Sequence, residues 1–379
     1  MLAPGDLFAS LKGATKDGKM IGSVARVPAS VVSGRLTQDT VKLQFFQPKR
    51  EIENYLYWVL RTPQYRDYCA GRAMGSAVVA MSREDFLSYE VPPLTSFRSA
   101  TVELLEEIEK RERLLRETNA TLEGISQALF KSWFVDFDPV RAKMEGRTPE
   151  GLDEATATLF PDEFEESELG PVPRRWKNST LASVCQYLNR GLSPKYVENG
   201  GVLVLNQKCI RDFSLDCTKG RRHDPTQRKI DGRALALGDV LVNSTGVGTL
   251  GRVAQVLELP EPTIVDSHVT VVRAGDSLSW PYLGQWMAKM QPVIEAMGEG
   301  STGQTELSRT KLGNLKILVP PKHVLAAFDA TVGPLKNRVS CNDRYAQNLA
   351  ALRDTLLPRL ISGHLRLPDE QPLMEEAVA

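Results

Sequence analysis

The chain contains two half-copies of one pattern, and this constrains the fold more than any other feature, because two copies of one unit fold alike. Gly5-Asp6-Leu7-Phe8 is matched by Gly238-Asp239-Val240-Leu241, and Ile21-Gly22-Ser23-Val24-Ala25 by Leu250-Gly251-Arg252-Val253-Ala254. Tyr55-Leu56 is matched by Tyr282-Leu283, and Glu90-Val91-Pro92-Pro93-Leu94 by Leu318-Val319-Pro320-Pro321. Each match is short. Their order is the same in both copies and their offsets lie close together, which chance seldom gives.

A long helical pattern follows each Pro-Pro. In the first copy Ile108, Leu115, Leu122 and Leu129 recur every seven residues, with Leu104 and Ile125 at the other seam position and Arg111 and Thr118 interrupting it. In the second, Leu335, Asn342, Leu349 and Leu356 keep the same step, with Tyr345 and Leu352 on the other seam. Sustained heptads among Glu, Lys and Arg read as paired, coiled-coil-like helices, and a polar residue such as Asn342 in a seam fixes register at a cost in stability. The first helix is expected from about Phe97 to Phe134, roughly 55 Å at 1.5 Å per residue. It is broken by Asp136-Phe137-Asp138-Pro139, while Pro358 and Gly363 are expected to end the second.

The segments between the helices mix strands with helix. Gly201-Val202-Leu203-Val204-Leu205 and Val269-Thr270-Val271-Val272 are short runs rich in β-branched residues, Gly238 opens a strand through Val242, and Trp280 to Met297 reads as an amphipathic helix interrupted near Pro292. The fold expected is α+β: two lobes separated by long antiparallel coiled-coil-like helices. Formal net charge is zero. Its distribution is uneven, with 13 Lys/Arg against 6 Asp/Glu over residues 171–240 and 3 against 9 over residues 140–170. A basic block beside an acidic connector is compatible with DNA binding by one lobe, although on charge alone ordinary surface scatter is the favoured reading. Five scattered cysteines without a CxxC pair argue against a disulfide framework or zinc cluster and for a reducing cytoplasm. No apolar run approaches the roughly 20 residues a membrane span needs, and no signal peptide is visible at the start.

The run Ala128-Leu129-Phe130-Lys131-Ser132-Trp133-Phe134-Val135-Asp136-Phe137-Asp138-Pro139-Val140-Arg141-Ala142-Lys143 closely resembles the central conserved region of type I restriction-modification specificity (S) subunits. Leu169-Gly170-Pro171-Val172-Pro173-Arg174-Arg175-Trp176 resembles the opening of their second target-recognition domain, and Gly238-Asp239-Val240-Leu241 and Gly300-Ser301-Thr302-Gly303-Gln304 with Leu307 match that domain type. The resemblance covers nearly the whole chain. It divides it into a partial first target-recognition domain (1–96), a central conserved helix (97–139), an acidic linker (140–175), a second target-recognition domain (176–321), a C-terminal conserved helix (322–363) and a polar tail (364–379).

What the resemblance implies is a chain that reads double-stranded DNA with a bipartite target and has no catalytic centre. Its helices, through Ile108, Leu115, Leu122, Leu129, Trp133, Leu335, Leu349 and Leu356, would set the gap between half-sites and dock modification (methyltransferase) subunits. Methylation and cleavage would belong to the modification and restriction subunits, with S-adenosylmethionine, ATP and magnesium bound there and no cofactor or metal in this chain. One departure stands out. About sixty residues separate Trp176 from Gly238-Asp239, whereas Gly5-Asp6 lies almost at Met1. The first lobe is therefore expected to lack an N-terminal portion, which leaves its half-site open.

Phosphate contacts come from Lys, Arg, Ser, Thr and backbone amides, whereas base readout needs side chains that reach a groove edge. In the second lobe the candidates are Lys195, Asn206, Gln207, Lys208, Arg211, Lys219, Arg221 and Arg222, with Ser244, Thr245 and Thr249 in one small hydroxyl-rich loop and Ser301, Thr302 and Gln304 in another. Asn206 and Gln207 suit adenine, and Arg221 or Arg222 guanine. In the first lobe Lys12, Lys16, Arg72 and Ser76 are weaker candidates. For each, a solvated charge or simple turn is the plainer alternative. His223 reads as a surface histidine rather than a ligand or base.

Catalytic constellations are missing from the sequence. Gly246-Val247-Gly248 lacks the third glycine and helix of a dinucleotide fingerprint, no GxxxxGK[ST] or HExxH occurs, and no Asn/Asp-Pro-Pro-Tyr-type motif is present. Glu107-Ile108-Glu109-Lys110 has the carboxylate–lysine order of some nucleases but lies in the heptad helix. The leading reading is thus a DNA-recognition subunit. The alternatives are a non-catalytic scaffold or remnant with one working recognition domain, and a hidden nuclease.

Overall fold

The computed structural model describes residues 1–13, 20–75, 79–168, 170–298 and 306–365. It divides into two units, one of Met1–Arg116 with Asp343–Ala379, the other of Glu117–Asn342. Mixed helix and sheet occur in both, as the α+β expectation requires.

In the first unit, strands β1 (Leu7–Ser10), β2 (Val24–Arg26) and β3 (Thr40–Lys42) form an antiparallel sheet in the order β2-β1-β3. Helices α1 (Arg50–Val59), α2 (Pro63–Arg72) and α3 (Arg83–Leu87) follow, then the start of α4 (Ser96–Lys131). Tyr55, Trp58 and Val59 of α1 are buried with Leu7, Val102, Leu105, Leu357 and Ile361, so the helix face packs on the sheet and on the helix pair.

In the second unit, β4 (Lys177–Thr180) and α7 (Leu181–Val184) lead into β5 (Cys185–Arg190), after the short helices α5 (Asp138–Met144) and α6 (Glu154–Thr158). Strands β6 (Tyr196–Val197), β7 (Val202–Leu205) and β8 (Arg221–His223) come next, then β9 (Val240–Asn243), β10 (Val253–Gln255), β11 (Thr263–Val265) and β12 (Val269–Ala274). One antiparallel sheet has the order β10-β9-β12-β5 and a mixed sheet the order β6-β8-β7-β11. Helix α8 (Trp280–Ala296), α9 (Arg309–Gly313), β13 (Lys316–Val319) and α10 (Lys322–Ser362) complete the chain, with β13 pairing β4.

The repeat read from the sequence is a repeat of register. β1 pairs β2 with Phe8 opposite Ala25, and β9 pairs β10 with Leu241 opposite Ala254. Gly5 and Gly238 sit at φ +87° and +86°, a left-handed turn that glycine adopts without strain. Each hands its chain to an aspartate whose carboxylate accepts a backbone N–H three residues back, Asp6 from Ala3 at 2.6 Å and Asp239 from Ala236 at 2.8 Å. A cation on the neighbouring strand then meets each carboxylate, Lys42 at 2.5 Å and Arg273 at 2.6 and 2.7 Å.

Several expectations are corrected. The seven-residue step is real, but the fully buried positions in α4 include Leu105, Glu112, Asn119 and Ser126, and Ile125 is exposed. In α10 the second seam position is held by Val339 and Ala346, one residue after the expected phase, and Tyr345 and Leu352 are exposed. Pro358 does not end α10, which continues to Ser362 before Gly363 at φ +83°. Nor does Pro292 interrupt α8. The acidic stretch 140–175 is no loose linker: Val140, Phe160 and Val172 join Trp133, Trp176 and Phe328 in the main core. Phe137, at φ 56°, turns the chain sharply after a π-helical turn Ser132–Asp136 and so packs this aromatic run inward.

Candidate nucleic-acid interface

The second unit gathers polar side chains where the two sheets meet. β7 ends at Leu205, and Asn206 caps the next turn by accepting the Lys208 N–H at 2.9 Å. The turn aims Gln207 at the loop after β9. Gln207 Nε2 donates to Thr245 Oγ1 at 2.6 Å and to the Thr245 carbonyl. Thr245 Oγ1 also meets His268 Nδ1 at 2.8 Å. Thr249 closes over the same carbonyl. Gly246 sits at φ +101°, which side-chain-bearing residues rarely adopt, and a Cβ there would also crowd Thr249 Oγ1 at 2.6 Å and Gln207 Nε2 at 2.9 Å. The loop is thus braced and presents Val247 at its exposed tip.

Thr245 bridges to Glu306, which extends the site to a second cluster. Arg190, at the end of β5, pairs with Glu306 and donates to the Leu307 carbonyl at 2.8 Å. Arg309 donates to Asn189 Oδ1 at 2.5 Å. Arg190, Glu306, Ser308 and Arg309 line a cleft of about 500 Å³. On the mixed sheet Arg221 lies over the Tyr196 ring at 3.3 Å, giving an exposed cation–aromatic pair of the kind that accepts a phosphate or a base face. Asp266 accepts the His268 N–H at 2.9 Å, and burial raises its carboxyl pKa.

Of the residues singled out from the sequence, Gln207, Thr245 and Thr249 are brought together. Lys208, next to Gln207, is exposed, as is Lys195, next to Tyr196. Arg211 faces Asp212 at 3.4 Å and Lys219 faces Asp216 at 2.9 Å, both at the surface. Strand alternation turns Arg222 away from Arg221, into a bidentate pair with Glu261 at 2.6 and 2.8 Å. Ser244 requires a correction. It is fully buried, with Oγ 2.5 Å from Thr270 Oγ1, and its side chain does not reach solvent. His223 also requires one: it is fully buried, accepting the Lys195 N–H at Nδ1 (2.9 Å) and donating from Nε2 to the Arg228 carbonyl (2.8 Å). Ser301, Thr302 and Gln304 lie outside the described residues, as do Lys16 and Ser76.

In the first unit Arg72 lies over the Tyr68 ring at 3.8 Å, and Lys12 is 3.5 Å from Asp39. Lys12 occupies the position of Thr245. The Leu11 N–H donates to the Asp39 carbonyl at 3.0 Å, as the Ser244 N–H does to that of His268 at 2.8 Å. An ion pair in one copy stands where the other has a threonine–histidine bond. Sequence reasoning missed Tyr196, Arg190, His268 and Arg309. Ser308-Arg309 repeats Ser82-Arg83, a signal that was available.

The residues named for docking are either buried or half-buried. Ile108, Trp133 and Leu349 are buried, which corrects their assignment to a partner-facing surface, while Leu115, Leu122, Leu129, Leu335 and Leu356 are half-buried. Among the described residues no three His, Cys, Asp or Glu side chains are placed to hold a metal ion, and no helix is long and apolar enough to cross a membrane.

No protein-family model matches the chain. The solved S subunit of a type I restriction-modification system from M. genitalium superposes with a TM-score of 0.54, covering 95% of this chain and 83% of that one at 15% identity. The chain is related to type I specificity subunits and has their fold. In sequence it is 23% identical over 329 residues to the Type I restriction enzyme HindI specificity subunit of Haemophilus influenzae, covering 74% of this chain and 69% of the relative. It is 21% identical over 341 residues to the Type I restriction enzyme MjaIX specificity subunit of Methanocaldococcus jannaschii, covering 84% and 70%. At these identities the comparisons support the fold alone. The placement of side chains at the braced loop rests on this chain alone.

Proposed function

We propose that the chain is the DNA-recognition subunit of a type I restriction-modification complex and that it performs no chemistry itself. The observation that carries this is the site of the second unit. There a glycine-dependent loop braced by Gln207, two arginines at a cleft and the Tyr196–Arg221 stack offer donors for phosphates and a planar surface for bases. In this reading Arg190, Arg221, Lys195 and Lys208 position the backbone, and residues of the loop reach the groove. The exposed apolar residues Leu114, Ile125, Tyr345 and Leu352 of the long helices meet the modification subunits. S-adenosylmethionine, ATP and magnesium are bound by the partner subunits, and the complex works in the cytoplasm.

The test is to purify the chain with its modification subunits and map methylated sites on genomic DNA. A bipartite motif is expected if both units read, and a one-sided motif if only the second does. Binding that ignores sequence would leave the scaffold reading. Cleavage of duplex by the chain alone with magnesium would establish a nuclease and overturn the proposal.

A further inference from the structure

Residues 266–268 join the two sheets of the second unit, since β11 of the mixed sheet ends at Val265 and β12 of the antiparallel sheet begins at Val269. Backbone bonds fix this junction. The Asp266 N–H donates to the Leu205 carbonyl at 3.0 Å, and the Val269 N–H to the Asp266 carbonyl at 3.2 Å. Within the turn the His268 N–H donates to Asp266 Oδ1 at 2.9 Å. The junction reaches the braced loop through His268 Nδ1, which meets Thr245 Oγ1 at 2.8 Å. It also reaches the Tyr196–Arg221 stack, for burial and, after it, the charge of Asp266 raise the Tyr196 hydroxyl pKa. A carboxylate thus lies within the face assigned to DNA.

Asp266 is 5% exposed, and one N–H is all that its carboxylate receives. Among the described residues no hydrogen bond or ion pair reaches Oδ2. A charge taken out of water is costly unless donors replace its hydration, and burial accordingly raises the carboxyl pKa. The turn itself does not require the acid. In the first unit Thr40 lies opposite Ser10 as Val269 lies opposite Asn243, and the Thr40 N–H donates to the Thr37 carbonyl at 3.2 Å. Thr37 therefore holds the place of Asp266, and the backbone bond is the same without a carboxylate.

A phosphate has no proton to donate and repels a carboxylate, and the deoxyribose within a duplex strand has no free hydroxyl. The donors that DNA offers are the exocyclic amines of the bases, cytosine N4 and adenine N6 in the major groove. We infer that Asp266 is a specificity-determining residue whose Oδ2 accepts such an amine, so that the second unit prefers cytosine or adenine at one position of its target. The inference rests on the reading of the chain as a DNA-recognition subunit. Thymine O4 or guanine O6 at that position would set an acceptor against the carboxylate and leave both unpaired, which adds rejection of the wrong base to recognition of the right one.

The experiment exposes the chain with its modification subunits to a randomised duplex pool and sequences the bound molecules. D266N is the informative variant. Its Oδ1 can still accept the His268 N–H, while an NH2 donor replaces Oδ2. At one position D266N is expected to lose about tenfold of the wild-type preference for cytosine or adenine and to favour thymine or guanine, with the rest of the motif kept. D266S, whose hydroxyl can hold the turn, should lose the preference without gaining the reverse one. Circular dichroism and the urea midpoint verify folding, and D266S decides if D266N does not fold. An unchanged motif, or equal weakening of all sequences as a merely structural aspartate would give, overturns the inference and leaves the DNA-recognition reading standing. A wild-type complex without sequence preference overturns both.

Discussion

Asn119 and Asn342 meet in the buried seam between the long helices of the second unit, where Asn342 Nδ2 donates to Asn119 Oδ1 at 2.8 Å and Asn119 Nδ2 donates to the Val339 carbonyl at 3.2 Å. Both side chains are almost wholly buried. Removing one strands the other without its bond, which costs about 1–3 kcal/mol, whereas replacing both by apolar residues removes the unmet demand. N342L should therefore lower the urea midpoint, and N119L/N342L should recover most of the loss. A double mutant no more stable than the single one would show that the pair is not a unit.

That pair also shows where the sequence stopped being readable. Asn342 stands out because it breaks an otherwise apolar seam. Asn119 does not, because its row in α4 is Leu105, Glu112, Asn119 and Ser126, and polar residues hide a period built on hydrophobicity. A phase read from hydrophobicity therefore falls on Ile125, Tyr345 and Leu352, which are exposed. The Gly5 and Gly238 turns were readable because a positive φ leaves a glycine in the sequence. Arg190 and Arg309 were not, because what makes them a site is their approach across 119 positions of chain, which no local pattern records. Ser244 failed for the opposite reason. A hydroxyl-rich loop reads as exposed, but burial was decided by Thr270 on a neighbouring strand.

In the first unit the same seam is held by charge. Arg353 Nη1 reaches Glu112 Oε1 at 2.8 Å, with the side chains only 13% and 3% exposed. Breaking a buried pair costs up to about 3–5 kcal/mol where it leaves a charge without a partner, and less here because Arg353 Nε keeps Asp354 Oδ1 at 2.8 Å, while an apolar replacement of both is often neutral or better. E112A should unfold at lower urea than the wild type, and E112L/R353M should be more stable than E112A. Equal stability of the wild type and E112A would refute the buried charge as a determinant of the seam.

Asp6 gives the first unit a pH dependence. The bond to Lys42, reinforced by the Ala3 N–H, holds its carboxyl below the ordinary aspartate value. A carboxylate whose folded pKa is depressed binds fewer protons folded than unfolded, so its contribution is full above the unfolded value of about 3.9 and is lost as pH falls through the lower folded value. The stability difference between wild type and D6N should hold steady from pH 7 to about pH 5 and shrink below about pH 4. A difference that grows on acidification would reverse the sign and exclude the bond as its source.

Arg221 and Arg222 are adjacent in sequence and opposite in situation. Arg221 lies over Tyr196 with its guanidinium unclaimed by any carboxylate in the pairs described, whereas Arg222 is held by both oxygens of Glu261. A phosphate contact neutralises DNA charge and releases counterion, so losing one lowers the salt slope of binding by about 1. Arg222 would first have to give up a bidentate pair. Fluorescence anisotropy of a duplex carrying the mapped target, read from 50 to 200 mM salt with the modification subunits present, should show R221A reducing the slope by about 1 and R222A leaving it nearly unchanged. R309A should resemble R221A if the cleft it lines takes a phosphate, whereas Arg190, held by Glu306 and the Leu307 carbonyl, would like Arg222 first have to give up its pair, and S244A should leave the slope alone while lowering stability. If R222A instead gave the larger loss, the nucleic acid would lie on the Glu261 side of β8, and the face assigned to DNA would be the wrong one.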